Sequence, residues 1–237
     1  VLFASSTKPH RQICGGCFTM SRIEEISENL QIVRAKIAAV ADHPVTLIVV
    51  TKTFPVSDVQ LLKVLGVEEF GENRDAEGSE KSQLVAGRWH FQGQIQSNKL
   101  KSITSWASVI HSLDDPRHFE IIEKVALHPL TIFLQVSLDG AHHRGGAGVD
   151  QLYQLAEKVC ASNSHTLAGL MSVPPVGVAP DEAYSQLALI RNEFLVRFPH
   201  ADQLSAGMSG DYQSAISHGA THVRVGSSIL GSRSPHQ

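Results

Sequence analysis

The segment VTLIVVTKTFP, residues 45–55, decides the fold class because a strand pattern ends there in a lysine and a turn. Pro44 precedes the apolar, β-branched run 45–51, which is typical of a strand buried on both faces. Ser57 then opens a helical pattern over residues 57–65 as its expected N-cap. A buried strand followed at once by a helix is the repeating unit of a parallel sheet.

The rest of the chain repeats this alternation. Strand patterns occupy 45–51, 68–71, 88–93, 108–112, 130–137, 167–172, 203–205 and 222–225. Helical patterns occupy 57–65, 73–85, 98–104, 116–126, 149–161, 180–198 and 210–217, of which 98–104 is the weakest. Eight strands joined by helical connections predict a single (β/α)8 TIM barrel. An open doubly wound sheet competes with it, but no G-x-G-x-x-G follows the first strand.

Composition excludes several classes of protein. The chain has 237 residues, 42% of them hydrophobic, and a net charge of −3, so one core is expected and a nucleic-acid partner is not. No apolar run is long enough to cross a bilayer, so we expect no membrane partner and a soluble, cytoplasmic protein. Cys14 and Cys17 have the spacing of a redox or half-zinc motif, but no second ligand pair accompanies them, so no metal is expected.

The barrel is expected to begin near Met20. Residues 1–19 lack apolar periodicity, so they are predicted to be a disordered or non-native N-terminal extension, with a targeting peptide as the alternative. Ser21 and Glu24 have the spacing of a capping box, and apolar residues then recur at helical spacing up to Val40. The predicted domain therefore covers residues 20–237.

Polar residues at the strand ends are the candidate site, because barrel chemistry lies at the carboxyl ends of strands. Lys52 closes the first strand, where partial desolvation favours a neutral amine able to form an imine; a lysine that reaches solvent is the alternative. Ser205 ends the seventh strand, and Ser209, Gly226 and Ser227 follow the last two strands. This position favours phosphate, although ordinary capping and turn glycines also explain these residues.

Arg224 lies within the last strand pattern and needs a partner, since a buried unpaired cation is costly. That partner is either a carboxylate or the ring nitrogen of a pyridine cofactor. Arginine does not release its proton, so it would leave such a nitrogen unprotonated and weaken the ring as an electron sink.

At this point seven segments match a known family. They are VTKTFP at 50–55, FGENR at 70–74, WHFQG at 89–93, QSNK at 96–99, GLMSVPP at 169–175, LSAGMS at 204–209 and VRVGS at 223–227. In this order they resemble the YggS/PROSC proteins, the pyridoxal phosphate homeostasis proteins related to the barrel domain of alanine racemase. The resemblance covers residues 21–233.

The resemblance implies a fold-type III barrel that binds pyridoxal 5′-phosphate (PLP), without the C-terminal β domain of the racemase. It implies that Lys52 holds PLP as a Schiff base and that Arg224 faces the pyridine nitrogen. Ser205, Gly226 and Ser227 would hold the phosphate, and the remaining cofactor-binding candidates are Ser209, Asn73 and His90. The stretch 138–148, with paired histidines, departs from the family pattern, and His142 and His143 are interpreted as loop residues and not as metal ligands.

The family also implies a carrier without catalytic residues. The expected function is homeostasis and delivery of PLP, possible recipients being PLP-dependent apoenzymes, by a monomer or weak dimer. A PLP-dependent amino-acid racemase and a Schiff-base aldolase without cofactor stay open as alternatives. The chain ends at Gln237 and none of its three tyrosines falls at a strand end, so a second acid/base of the racemase kind is not expected.

Overall fold

The computed structural model describes residues 20–140 and 145–232. Within them, eight parallel strands pair in chain order and close on themselves, so the predicted (β/α)8 barrel is confirmed. The strands are β1 Thr46–Val50, β2 Glu69–Glu72, β3 Arg88–Phe91, β4 Val109–Leu113, β5 Thr131–Gln135, β6 Thr166–Met171, β7 Gln203–Ser205 and β8 His222–Val225. Each overlaps the strand that the residue pattern predicts.

Helices separate the strands and surround the barrel. They are α1 Arg22–Val40, α2 Val56–Val64, α3 Asp75–Leu84, α4 Leu100–Trp106, α5 Pro116–Val125, α6 Val149–Cys160, α7 Pro180–Arg197, α8 Tyr212–Ser217 and α9 Ser227–Leu230. The capping box of α1 is confirmed, because the Ser21 amide donates to the Glu24 carboxylate over 2.8 Å. No helix of these described ranges is long and apolar enough to span a bilayer.

Helix starts are where the residue pattern misleads. α2 begins at Val56 after Pro55, so Ser57 is not its N-cap, because proline already supplies the extended entry to the first turn. The weak pattern at 98–104 is a 3₁₀ turn at Ser97–Lys99 that continues into α4. The four-residue α9 directly after β8 has too few residues to show periodicity, and the pattern does not reveal it.

The apolar core lies mainly between the barrel and its helices. Ile26, Leu30 and Val33 on α1 and Leu155 and Val159 on α6 are examples of its buried residues. Inside the barrel the apolar cluster is small and consists of Val109, Phe133, Ala168 and Met171. Buried polar side chains fill much of the remaining interior, namely His90, His111, Ser205, His222 and Arg224. A barrel interior is usually filled by branched apolar side chains, so this polar content needs a hydrogen-bonding explanation.

Some predictions concern residues outside the described ranges. Cys14, Cys17, His142 and His143 belong to the segments 1–19 and 141–144. In the part of the chain that the structure describes, no group of three or more acidic, histidine or cysteine side chains is arranged to hold a metal ion.

Candidate functional site

A cavity of about 350 Å³ lies at the carboxyl ends of the strands. Six of the eight predicted site residues line it, namely Lys52, Asn73, Ser209, Arg224, Gly226 and Ser227. A larger cavity of about 720 Å³ lies between α1 and the amino ends of β1 and β2. We place the candidate site in the smaller one because reactive groups of this fold gather at the carboxyl ends.

A tight turn after β1 presents Lys52 to the cavity. The Thr51 amide donates to the Gly71 carbonyl over 2.9 Å, and the Phe54 amide donates to the Thr51 carbonyl over 3.0 Å. Thr53, between them, has a φ of 69°, a left-handed conformation that non-glycine residues rarely adopt. Such local strain persists only where the surroundings hold it in place, and it is concentrated at functional sites.

The group that holds this turn is a buried lysine on α3, Lys81. Its ammonium donates to the Thr51 carbonyl over 2.8 Å, to Glu72 Oε1 over 2.7 Å and to Glu77 Oε2 over 3.2 Å. The second residue of the strained turn, Thr53, donates its amide to Glu77 Oε2 over 2.6 Å. The Lys81 side chain is 5% exposed and that of Glu72 is fully buried. We call Lys81, Glu72 and Glu77 the turn brace.

Burial and hydrogen bonding act in opposite directions on the pKa values of the two carboxylates in the turn brace. Burial raises the pKa of Glu72, although the hydrogen bonds from Lys81 and Thr51 act against it. Burial also acts to raise the pKa of Glu77, but the hydrogen bonds from the Thr53 amide and Lys81 lower it overall. Sequence reasoning missed this brace. The available signals were Glu72 inside the FGENR motif and the i, i+4 spacing of Glu77 and Lys81 on α3.

Arg224 reaches the cavity from β8 and is 4% exposed. Its Nη1 donates to Ser205 Oγ over 2.7 Å, and its Nη2 donates to the Ser172 carbonyl over 3.0 Å. In the described ranges no carboxylate lies within 4.0 Å of it. Burial lowers its pKa to about 10, so the guanidinium is still charged at neutral pH. The carboxylate alternative for its partner is therefore not supported.

Two predicted site residues do not line the cavity. Ser205 is fully buried, and its hydroxyl is taken up by Arg224 and by His111 Nδ1 at 2.9 Å. That Ser205 holds the phosphate therefore stays a prediction, and in this structure its hydroxyl bonds to Arg224 and His111 instead of lining the cavity. His90 is also fully buried, and its two ring nitrogens lie 2.8 Å from His111 and 2.5 Å from Glu69.

The glycine–serine segment after β8 forms one wall of the cavity. Ser209 Oγ accepts hydrogen bonds from the amides of Gly226 and Ser228, over 3.2 and 3.4 Å. A Cβ at Gly226 would stand 2.9 Å from the Val50 carbonyl, so only glycine lets this segment approach β1 so closely. Amides of the first turn of α9 therefore lie beside the serine hydroxyls that line the cavity.

A cavity residue that the sequence reasoning did not select is Gln92. It follows β3 within the WHFQG motif, and its buried Nε2 has no hydrogen-bond partner in the described part of the chain. A buried amide without a partner is rare and costly. Beside it, Asp139 and Gly145 from the divergent stretch line an adjoining cavity of about 210 Å³.

Fold and cavity together define a class: (β/α)8 barrels with a lysine amine, a buried arginine and a glycine–serine wall at the carboxyl ends. Comparison with known proteins agrees. The profile of the family described as alanine racemase, N-terminal domain, matches residues 22–234. The pyridoxal phosphate homeostasis protein of Corynebacterium glutamicum is 41% identical over 200 residues, covering 80% of this chain and 90% of that protein.

The protein of the same name from Mycobacterium leprae is 36% identical over 241 residues, covering 89% of this chain and 93% of that protein. The structure of PipY from Synechococcus elongatus with PLP bound is 28% identical, has a TM-score of 0.77, and covers 87% of this chain and 100% of PipY. The chain therefore belongs to the pyridoxal phosphate homeostasis proteins, whose barrel is that of the alanine racemase N-terminal domain.

Proposed function

We propose that this protein binds PLP, holds it covalently through Lys52 and serves as a carrier that buffers the cofactor and delivers it to apoenzymes. The observation that carries the proposal is that one cavity is lined by Lys52, Arg224 and the Gly226–Ser227 wall. Family membership and the PLP found in PipY support the same ligand.

The chemistry of the donor set fits each part of this cofactor. The amine of Lys52 suits the aldehyde, and the cation of Arg224 suits an acceptor nitrogen in the ring. The hydroxyls of Ser209 and Ser227, which line the cavity beside Gly226, suit a phosphate. When bound, PLP would supply two groups. Its aldehyde forms a covalent link to an amine, and its pyridine ring absorbs near-visible light. The unpartnered amide of Gln92 is a further donor for a polar group on the ring.

Two features of the residues support a carrier over a racemase. Arg224 keeps its proton, so it would bind the pyridine nitrogen without protonating it and would weaken carbanion stabilisation. Of the three tyrosines, Tyr153, Tyr184 and Tyr212, none is among the residues that line the cavity. Racemisation with two bases needs an acid/base group on each face of the substrate, and Lys52 supplies only one.

The test is an absorption titration followed by an amino-acid assay. We expect PLP to give a visible band that Lys52→Ala abolishes, and an apoenzyme to remove the cofactor from the wild-type protein. We expect L- or D-alanine in deuterated water to show no inversion by chiral analysis. Turnover in the ordinary enzyme range of about 1–1000 per second would contradict the carrier proposal.

Cellular location, oligomeric state and the route of PLP transfer are parts of the same proposal. We expect the protein to act in the cytoplasm as a monomer or weak dimer and to transfer PLP to apoenzymes on contact. Analytical ultracentrifugation with and without PLP measures the oligomeric state directly.

A further inference from the structure

A continuous series of hydrogen bonds runs through the interior of the barrel from one cavity to the other. It begins at Arg224 in the site cavity and passes through Ser205 on β7 and His111 on β4. It continues over 2.8 Å to His90 on β3 and over 2.5 Å to Glu69 at the amino end of β2. Glu69 lines the cavity of about 720 Å³ at the opposite end of the barrel.

The two ends fix the direction of every donor in this series. Arginine can only donate, so Ser205 Oγ accepts from Arg224. At the other end the Glu69 carboxylate can only accept, so His90 Nε2 carries a proton. If both histidines are neutral, His90 Nδ1 must then accept from His111 Nε2, and His111 Nδ1 must accept from the Ser205 hydroxyl. Each link then donates in one direction, from the arginine to the glutamate.

Surroundings favour the neutral histidines that this arrangement needs. His111 is fully buried and stacks on Phe133 with 4.6 Å between ring centroids, and burial puts its pKa well below the ordinary value. Burial also lowers the pKa of His90, against the effect of Glu69. For Glu69 burial acts to raise the pKa, but His90, Arg88 and His222 lower it overall. A carboxylate that is 25% exposed therefore stays charged at neutral pH.

We infer that Ser205, His111, His90 and Glu69 are positioning residues that hold Arg224 toward the pyridine nitrogen and link its charge to a carboxylate at the far end of the barrel. The ligand in this inference rests on the proposed function. A carboxylate placed directly on Arg224 would compete with the ring nitrogen for the guanidinium. We call the hydrogen-bonded series Ser205, His111, His90 and Glu69 the relay. Its neutral member Ser205 accepts a hydrogen bond from the guanidinium and leaves the side that faces the cavity for the ligand.

Nuclear magnetic resonance of the protein without cofactor, labelled with ¹⁵N in histidine and arginine, tests the relay itself. We expect His90 and His111 to be neutral with the proton on Nε2. We expect Glu69→Gln to move the signals of His90, His111 and Arg224. Glu68→Gln is the matched control, because Glu68 lines the same cavity but is 62% exposed and pairs with Lys63. A proton on Nδ1 of either histidine, or a shift that stops at His90, overturns the inference.

Cofactor binding tests the positioning role. We expect His111→Phe, which keeps the stacking on Phe133, to weaken PLP binding by about tenfold, the typical effect of losing a hydrogen bond in a charged network. We expect Glu69→Gln, but not Glu68→Gln, to move the ring-nitrogen signal of ¹⁵N-labelled PLP. Should His111→Phe not fold, the Glu69→Gln comparison decides alone. An unmoved ring-nitrogen signal overturns the positioning role, whereas absence of PLP binding in the wild type contradicts the proposed function and leaves the relay result standing.

Discussion

At the residue scale, Lys52 is the candidate for the covalent link because it lines the cavity from a turn whose backbone is held by hydrogen bonds. We expect borohydride treatment of the protein with PLP to attach the cofactor permanently to the peptide that contains Lys52, as measured by mass spectrometry. Lys52→Ala should abolish that adduct and leave the circular dichroism spectrum unchanged. Lys63→Ala and Lys99→Ala are controls that should keep it. An adduct on Lys63 or Lys99 would contradict the assignment of Lys52 as the residue that holds PLP.

Which polar residues meet in the cavity was predictable for some positions and not for others. Lys52, Asn73, Ser209 and Gly226 stand just after strands, where side chains and backbone gather at the mouth whatever the exact strand tilt. Ser205 lies within its strand, and depth along a tilted strand is not visible in the residue pattern. The same uncertainty hid the position of His90, which is fully buried and does not line the cavity.

At the scale of elements, the turn brace joins α3 to the turn after β1. Lys81→Met should lower the free energy of unfolding by about 3 kcal/mol, because it leaves the buried Glu72 without its cation. It should also weaken PLP binding, since the strained turn at Thr53 loses its support. Urea denaturation and absorption titration measure the two effects.

Two further variants separate this effect from a general loss of lysine. Lys124→Met, on the exposed face of α5, should change neither quantity. Adding Glu72→Gln to Lys81→Met should recover part of the stability, because no unpaired charge is then buried. If the double variant is less stable than the single one, the buried charge is not the cause.

The segment between β8 and α9 supplies the other element-scale prediction. Pyridoxal without phosphate should bind at least about a hundredfold more weakly than PLP, because two or more hydrogen bonds to a charged group are lost. Ser227→Ala should weaken PLP binding by about tenfold and leave pyridoxal binding unchanged. Ser228→Ala is the matched control, since its hydroxyl donates to the Ser209 carbonyl and does not line the cavity. Equal affinities for the two ligands would mean that this wall holds something else.

Considered as a whole, the molecule has a barrel whose closure followed from residue periodicity and whose interior did not. Eight strand patterns with helical connections were enough for the topology. The interior polar residues come from strands far apart in the chain, and His111 and Ser205, for example, are 94 positions apart. Only the closed barrel brings them together, so no local pattern shows that they bond to each other.

That interior should make the whole molecule sensitive to acid. Burial lowers the pKa of His222 from 6.5 to about 4, so between these pH values the unfolded chain binds more protons than the folded one. The contribution of His222 to the free energy of unfolding, about 3 kcal/mol, is fully present above pH 6.5 and is lost as the pH falls toward 4. Denaturant unfolding from pH 7 to 4 measures it. His222→Asn should flatten the stability profile relative to the wild type. A slope from His90 and His111 should remain. The control His200→Gln, at an exposed position, should leave the profile as in the wild type. An unchanged profile in His222→Asn would show that the acid sensitivity arises in groups other than His222.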